Sequence, residues 1–325
     1  MNYTHGGNAF EYGTEILDFS TNVNPLGTPD AVKAAAAAAI RNIDKYPDYK
    51  CTELRKAISA REGVPEDWII CGNGAAELIY TAMYAIKPDE AIVHDPTFSE
   101  YAAAVRAAGG NVSDSDGDVE FICNPNNPTG LLTPKEAIKE ALKSGRTVFA
   151  DECFIEFVMN AKDYSCVDWM KEYKNLVILK SFTKMYAMPG LRLGYLMTSD
   201  KELINKMYLS RQPWSVSSIA QAAGIAAAKD TNTPEFMRSY IRSARAALES
   251  GFDRLGIEYL PSAANFIIFK SEPGLKEKLL KHRILIRDCS DFKGISGRFY
   301  RVAVRTGGDN RRLLKALEAV LWQNQ

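Results

Sequence analysis

The 325-residue chain is poor in the side chains that build metal sites. It has three histidines and six cysteines (Cys51, Cys71, Cys123, Cys153, Cys166 and Cys289), and no two cysteines form a CxxC pair. No zinc or other metal site is expected. Unpaired thiols of this kind suit a reducing compartment, so a cytoplasmic protein is expected. The chain also lacks a surplus of either charge, since 40 Lys plus Arg balance 40 Asp plus Glu. General nucleic-acid binders and membrane-surface proteins rely on excess positive charge, so no nucleic-acid or membrane partner is expected. No run of 18 apolar residues marks a membrane span. The opening MNYTHGGNAFEYG lacks the basic and then apolar order of a secretory leader. There is no internal repeat and no low-complexity linker.

What is present is an alternation of short apolar runs with helical patterns. Strands are expected at 68–71, 91–94, 119–123, 147–150, 176–179 and 193–198. Helices are expected near 75–87, 98–108, 134–144 and 200–210. This order predicts an α/β domain with a mainly parallel sheet buried on both faces. Beyond 215 the pattern changes to helices at 217–229 and 234–255, strands near 257–260, 264–270, 284–287 and 299–305, and a helix at 309–322. That predicts a smaller α+β domain. The expected division is an arm over 1–27 packing with the small domain, a large domain over 28–215 and a small domain over 216–325. The stretch 109–120 leaves little room for an extra strand and helix between two strands.

Ligands of open parallel sheets collect beyond the carboxyl ends of the strands, and the distinctive residues sit there. Gly72-Asn73-Gly74-Ala75-Ala76-Glu77 joins a strand to a helix. It is either a tight turn or a cradle whose backbone N–H groups and helix N-terminus take an anion. Asn124-Pro125-Asn126-Asn127-Pro128-Thr129-Gly130 is a turn-rich loop in which Pro128 restricts the backbone of Asn127. Asp151-Glu152 ends a strand, where a carboxylate caps a helix or pairs with a protonated ring nitrogen. Ser181-Phe182-Thr183-Lys184 precedes Met188-Pro189-Gly190-Leu191-Arg192. A lysine set among Ser, Thr and apolar residues is a candidate desolvated nucleophile.

In this order the four pieces resemble those of the fold-type-I pyridoxal-phosphate (PLP) enzymes, within the class I/II aminotransferase superfamily. The resemblance spans His5 to about Leu321. It implies PLP as cofactor, with Lys184 as the Schiff-base lysine and Asp151 as the partner of the pyridine nitrogen. It implies that Asn127 donates to the ring 3-oxygen, that Phe98 stacks on the ring, and that Gly74, Ala75, Ala76, Ser181 and Arg192 surround the phosphate. Tyr46 resembles the tyrosine that reaches the cofactor of a second subunit, which implies a homodimer with shared active sites. Many members carry tyrosine three residues after the aspartate. Phe154 stands there, so one donor to the ring oxygen is lost.

The superfamily runs several reactions on one cofactor. His5-Gly6-Gly7-Asn8, Ile284-Leu285-Ile286-Arg287-Asp288-Cys289-Ser290 and Tyr300-Arg301-Val302-Ala303-Val304-Arg305 resemble the L-threonine-O-3-phosphate decarboxylases of cobalamin synthesis. The histidinol-phosphate aminotransferases, which share the Asn24-Pro25-Leu26-Gly27 segment, resemble the chain next. The substrate implied is a small anionic amino acid, with His5, Asn24, Asn127, Asn265, Arg287 and Arg301 as candidate contacts. Arginine binds carboxylate and phosphate oxygens bidentately; of the two, Arg301 is expected near the carboxylate and Arg287 near the phosphate, a division that the bidentate chemistry itself does not set. His5 either meets the phosphate or only orders the arm. Asn265 either meets substrate or satisfies a strand end. Arg305 shares a strand face with Arg301 but lies roughly 13 Å further on, so the two are not expected to grip one carboxylate.

Overall fold

A computed structural model describes residues 5–13 and 15–322. Parts of the expected arm and small domain, residues 1–4, 14 and 323–325, lie outside the described residues. The first strand, β1 (Leu17–Asp18), belongs to the arm. Seven strands follow: β2 (Ile69–Gly72), β3 (Glu90–Val93), β4 (Asn111–Ser113), β5 (Val119–Cys123), β6 (Thr147–Asp151), β7 (Leu176–Ser181) and β8 (Gly194–Thr198). They form one sheet in the order β2-β8-β7-β6-β5-β3-β4. Only β8 runs against its neighbours. β7 is buried at all six positions. Apolar runs without polar alternation are what a sheet covered on both faces requires.

β4 was not expected. The stretch after Gly110 pairs in parallel with β3 at the sheet edge through three residues, so the extra strand is present and only a helix is missing. Its polar sequence Asn-Val-Ser gave no apolar run to read.

The smaller unit has β9 (Phe266–Lys270), β10 (Ile284–Leu285), β11 (Arg287–Asp288) and β12 (Phe299–Ala303). β12 lies between β11 and β9, antiparallel to both. β10 instead takes β1 of the arm as a parallel partner. The expected strand 284–287 is thus split at Ile286, because its two halves pair with different strands. The expected strand at 257–260 is reduced to a single bridge, Tyr259 opposite Phe269. Pro261 follows, and with no N–H it cannot extend the ladder. The long helix Asn232–Arg254 starts before 234 because the Asp230 carboxylate accepts from the N–H groups of Asn232 and Thr233.

Among the described residues no helix is long and apolar enough to cross a membrane, and no cluster of metal-ligating side chains is present.

The register of the large sheet sets up the site. Gly194 at the start of β8 lies opposite both Gly72 at the end of β2 and Ser181 at the end of β7. One strand over, Asp151 lies opposite Cys123 and Leu179. Residues far apart in sequence therefore meet along one sheet edge. The approach is tight there: a Cβ on Gly194 would stand 2.6 Å from the backbone nitrogen of Ala75. Only glycine allows β8 to pass so close to the start of the next helix.

Candidate active site

Two adjoining cavities open at this edge. The inner one, about 110 Å³, is lined by Ala75, Ala76, Phe98, Tyr101, Asn127, Asp151, Ser181, Thr183, Lys184 and Arg192, with Cys123, Cys153 and Phe154. The outer one, about 390 Å³, shares Ala76, Phe98, Asn127, Phe154, Lys184 and Arg192 with it. It adds His5, Asn22, Glu100, Arg287, Asp291 and Arg301. Lys184 therefore stands where the two meet.

One end of the inner cavity suits an anion. The helix Ala75–Ile86 points its first turn there. The unpaired N–H groups of a helix start favour negative charge by about 0.3–1 kcal/mol or more when partly buried. The hydroxyls of Ser181 and Thr183 lie 2.7 Å apart beside it. The guanidinium of Arg192 crosses above Gly74, where a Cβ would sit 2.5 Å from its Nη2. Gly74 also has φ 88°, so glycine is required there on both counts.

Asp151 lies deeper. Its carboxylate accepts from the Tyr101 hydroxyl at 2.6 Å and from the Cys153 N–H at 2.9 Å. Burial raises its pKa in spite of these bonds. A buried carboxylate held by neutral donors is suited to a cationic partner. Beneath it Tyr101, Phe121 and Phe149 form a stack with centroids 4.7 and 4.9 Å apart. Phe98 sets its edge against Tyr101 at 5.5 Å.

Lys184 keeps some contact with the cavity, yet so much protein surrounds it that desolvation lowers its pKa. The nearby cations Arg301 and Arg192 lower it further. A lysine so placed carries more neutral, nucleophilic amine near neutral pH. Its ammonium lies 5.8 Å from the Phe154 ring centre.

In the outer cavity Arg287 and Arg301 are direct cross-strand partners on β11 and β12. Arg287 is held by Asp291. Arg301 reaches across to the Asn127 side-chain oxygen and donates to the Ser20 carbonyl at 3.2 Å. Its Nε has no partner among the described residues. Burial lowers its pKa to about 10, and Arg287 adds to the effect. His5 reaches from the arm to Glu100 at 2.9 Å.

Three expected residues stand elsewhere. Asn24 does not line either cavity. Its amide donates to the Met185 carbonyl at 3.0 Å and its oxygen accepts from the Leu26 N–H, so it fastens the arm to the Lys184 helix. Asn265 does not line them either; it is fully buried, and its side chain has no hydrogen-bond partner among the described residues. Tyr46 lies exposed at the surface, stacked on Trp214 at 4.6 Å. Arg305 is bound by Asp309 and the Asp18 carbonyl, apart from Arg301.

Tyr101, Thr183 and Asn22 were missed. Tyr101 lies in the first turn of the helix Glu100–Ala107 and Phe98 just ahead of it, so the helix expected over 98–108 did not single Tyr101 out. Thr183 repeats the hydroxyl of Ser181. Asn22 is buried and its Oδ1 has no partner among the described residues; its polar arm segment gave no reason to single it out.

An α/β sheet with an anion cradle, a buried carboxylate and a desolvated lysine at its carboxyl edge defines a class. The chain belongs to the family aminotransferase class I and II, whose sequence profile matches residues 14–320. It is 35% identical to the threonine-phosphate decarboxylase of Salmonella typhimurium, over 99% of this chain and 97% of that protein. It resembles the solved histidinol-phosphate aminotransferase of Clostridium acetobutylicum with TM-score 0.88 and 32% identity, covering 94% of this chain and 99% of that one. It resembles the solved L-threonine-O-3-phosphate decarboxylase of Porphyromonas gingivalis with TM-score 0.86 and 26% identity, covering 94% and 100%.

Proposed function

We propose that the chain is a PLP-dependent decarboxylase of L-threonine O-3-phosphate, giving (R)-1-amino-2-propanol O-2-phosphate. The observation that carries this reading is the pair Arg287 and Arg301, cross-strand neighbours that line one cavity with Lys184. A substrate with both a carboxylate and a phosphate suits two guanidinium groups. The decarboxylase relative at 35% identity supports it.

The inner cavity fits PLP: an anion cradle at one end, Asp151 deep between strand ends, Phe98 on one side and Lys184 within reach. When bound, PLP supplies an aldehyde carbon that captures amines and a ring that withdraws electrons. Ala75, Ala76, Ser181, Thr183 and Arg192 hold its phosphate. Asp151 keeps a proton on its ring nitrogen, positioned by Tyr101 and the Cys153 N–H. Asn127 orients the ring oxygen without help from a hydroxyl at Phe154. Lys184, whose pKa burial lowers, would supply the amine that holds the cofactor at the junction of the two cavities. Arg301, which lines the outer cavity with Lys184, would hold and orient the substrate carboxylate.

The reading includes a homodimer in the cytoplasm. The surface around Tyr46 supports the dimer, because Ile40, Ile43, Tyr46, Leu209 and Trp214 all expose apolar side chains.

The test is carbon dioxide release from L-threonine O-3-phosphate by holoenzyme with no keto-acid acceptor. Release at catalytic rates is expected; its absence from cofactor-loaded protein would sink the proposal. A second reading, transamination of histidinol phosphate, is favoured by the Clostridium structure. It requires conversion of bound cofactor to its amine form instead.

A further inference from the structure

Two loops carry groups assigned to the cofactor ring. One follows β3 and bears Phe98; the other follows β5 and bears Asn127. β3 and β5 are parallel neighbours, so both loops leave the sheet at the same edge. Phe98 and Asn127 both line the inner and the outer cavity. The residue before each of them links the two loops. The Thr97 hydroxyl donates to Asn126 Oδ1 at 2.8 Å. Asn126 Nδ2 donates in turn to the Pro96 carbonyl at 3.0 Å and to the Thr129 hydroxyl at 2.9 Å. The backbone of Asn126 is fixed within its own loop: its N–H donates to the Leu131 carbonyl at 2.8 Å, and its carbonyl accepts from the Gly130 N–H at 2.7 Å. The same loop is tied to β6, where the Asn124 N–H donates to the Asp151 carbonyl at 2.8 Å. Neither Thr97 nor Asn126 lines either cavity.

We infer that Asn126, through Thr97 and Pro96, is a positioning residue that sets Phe98 and Asn127 at a fixed spacing on the cofactor ring. The inference rests on the reading of the inner cavity as the PLP site with those two residues on the ring, and not on which reaction follows.

The physical ground is that the amide uses both of its ends. A side-chain amide has an acceptor oxygen and two N–H donors. One bond between the loops would let them pivot. Bonds to the hydroxyl of Thr97 and to the carbonyl of Pro96, adjacent residues of one loop, fix the angle as well as the distance. Thr97 is 6% exposed, so water has little access to compete for its bond. The contacts served are sensitive to such spacing. A gap of about 0.5–1 Å forfeits a quarter to a half of the attraction between touching groups, and an N–H···O bond is confined to about 2.7–3.2 Å. A ring held by a stacking face on one loop and an edge donor on another keeps both contacts only while the loops keep their spacing.

Titration of the cofactor-free protein with PLP, and the visible circular dichroism of the bound cofactor, test this. In Asn126→Ala the dissociation constant for PLP is expected to rise at least about tenfold, and the dichroism per bound cofactor is expected to weaken. Thr97→Val removes the hydroxyl at similar volume and should act in the same direction. Thr97→Ser keeps the hydroxyl and should stay within about threefold of the wild type. Asn127→Ala and Phe98→Leu should each cost less affinity in the Asn126→Ala background than alone, because the spacing that makes them effective is already lost. If Asn126→Ala fails to fold, Thr97→Val provides the background for the same comparison. Additive costs, or PLP affinity and dichroism unchanged when the clamp is broken, would make the clamp merely structural and overturn the inference. If Phe98→Leu and Asn127→Ala alone leave both readouts unchanged, the placement of the ring fails and the inference falls with it. None of these readouts depends on carbon dioxide release, so failure of the decarboxylase proposal leaves this one standing.

Discussion

Two clusters of buried charge lie back to back at the carboxyl ends of β6 and β7. Consecutive residues there face opposite sides of the sheet: Asp151 and Ser181 line the inner cavity, Glu152 and Lys180 do not. On the far side Lys180 meets Glu62 at 2.6 Å and Glu152 at 3.6 Å. The Tyr195 hydroxyl donates to Glu62 at 2.6 Å. Glu152 accepts from the Ser165 hydroxyl and the Cys166 N–H, both at 2.7 Å. Arg61 is paired with Glu156 and donates to the carbonyls of Ala227 and Asp230. On the cavity side Lys184, Arg192 and Arg301 have no ion-pair partner among the described residues, and Asp151 is bonded by neutral donors. A closed set of charges needs no ligand. An open set of cations around a cavity does, and this difference separates a structural network from a binding site.

The sharpest break is Lys184→Ala. It removes the amine at the junction of the two cavities, and kcat/KM is expected to fall by at least about 10³-fold. The fold should persist, since Lys184 has no ion-pair partner to leave behind. Retained turnover would remove Lys184 from the chemistry. Glu62→Ala on the other face should do the reverse. It leaves Lys180 buried with only the longer contact to Glu152, and a broken buried pair costs about 3–5 kcal/mol. Urea unfolding of the holoenzyme should show that loss, while kcat per folded molecule changes less than about threefold. The double variant Glu62→Leu with Lys180→Met should recover part of it, because replacing both charges removes the uncompensated one. A double variant as unstable as the single one would argue that the network is more than a closed pair.

This asymmetry also explains what the sequence made legible. The strands β5, β6 and β7 were readable because burial on both faces leaves uninterrupted apolar runs. The cradle was readable because glycine and small residues at a strand–helix junction have few other uses. Lys184 and Lys180 differ in local pattern, since Lys184 sits among Ser, Thr and a loop while Lys180 lies within an apolar strand. What the sequence hid depends on tertiary pairing. β4 exists because β3 offers an edge, not because Asn-Val-Ser favours a strand. Asn24 resembles a substrate contact until the Met185 carbonyl is seen to occupy it. Asp291 follows Arg287 by four residues in a turn, and nothing local distinguished its grip on that arginine from a solvated pair.

The smallest expected effect is in the pH dependence of cofactor stabilisation, and its sign follows from Asp151. Burial raises its pKa above the ordinary 3.8. Between that value and the raised one, the cofactor-free fold keeps a proton that the unfolded chain has lost. Stability of the empty fold therefore falls as pH rises through this window. A cationic ring nitrogen beside the carboxylate favours its ionised form and reverses the shift. The difference in unfolding free energy between loaded and empty protein should then grow as pH rises through the same window and level off above it. Asp151→Asn has no carboxylate to titrate, so the difference should flatten. Urea titrations of loaded and empty protein at several pH values measure both. A wild-type difference that is flat across the window, or one that Asp151→Asn leaves unchanged, would mean that Asp151 does not face the ring nitrogen and that the inner cluster is less open than its missing ion pairs imply.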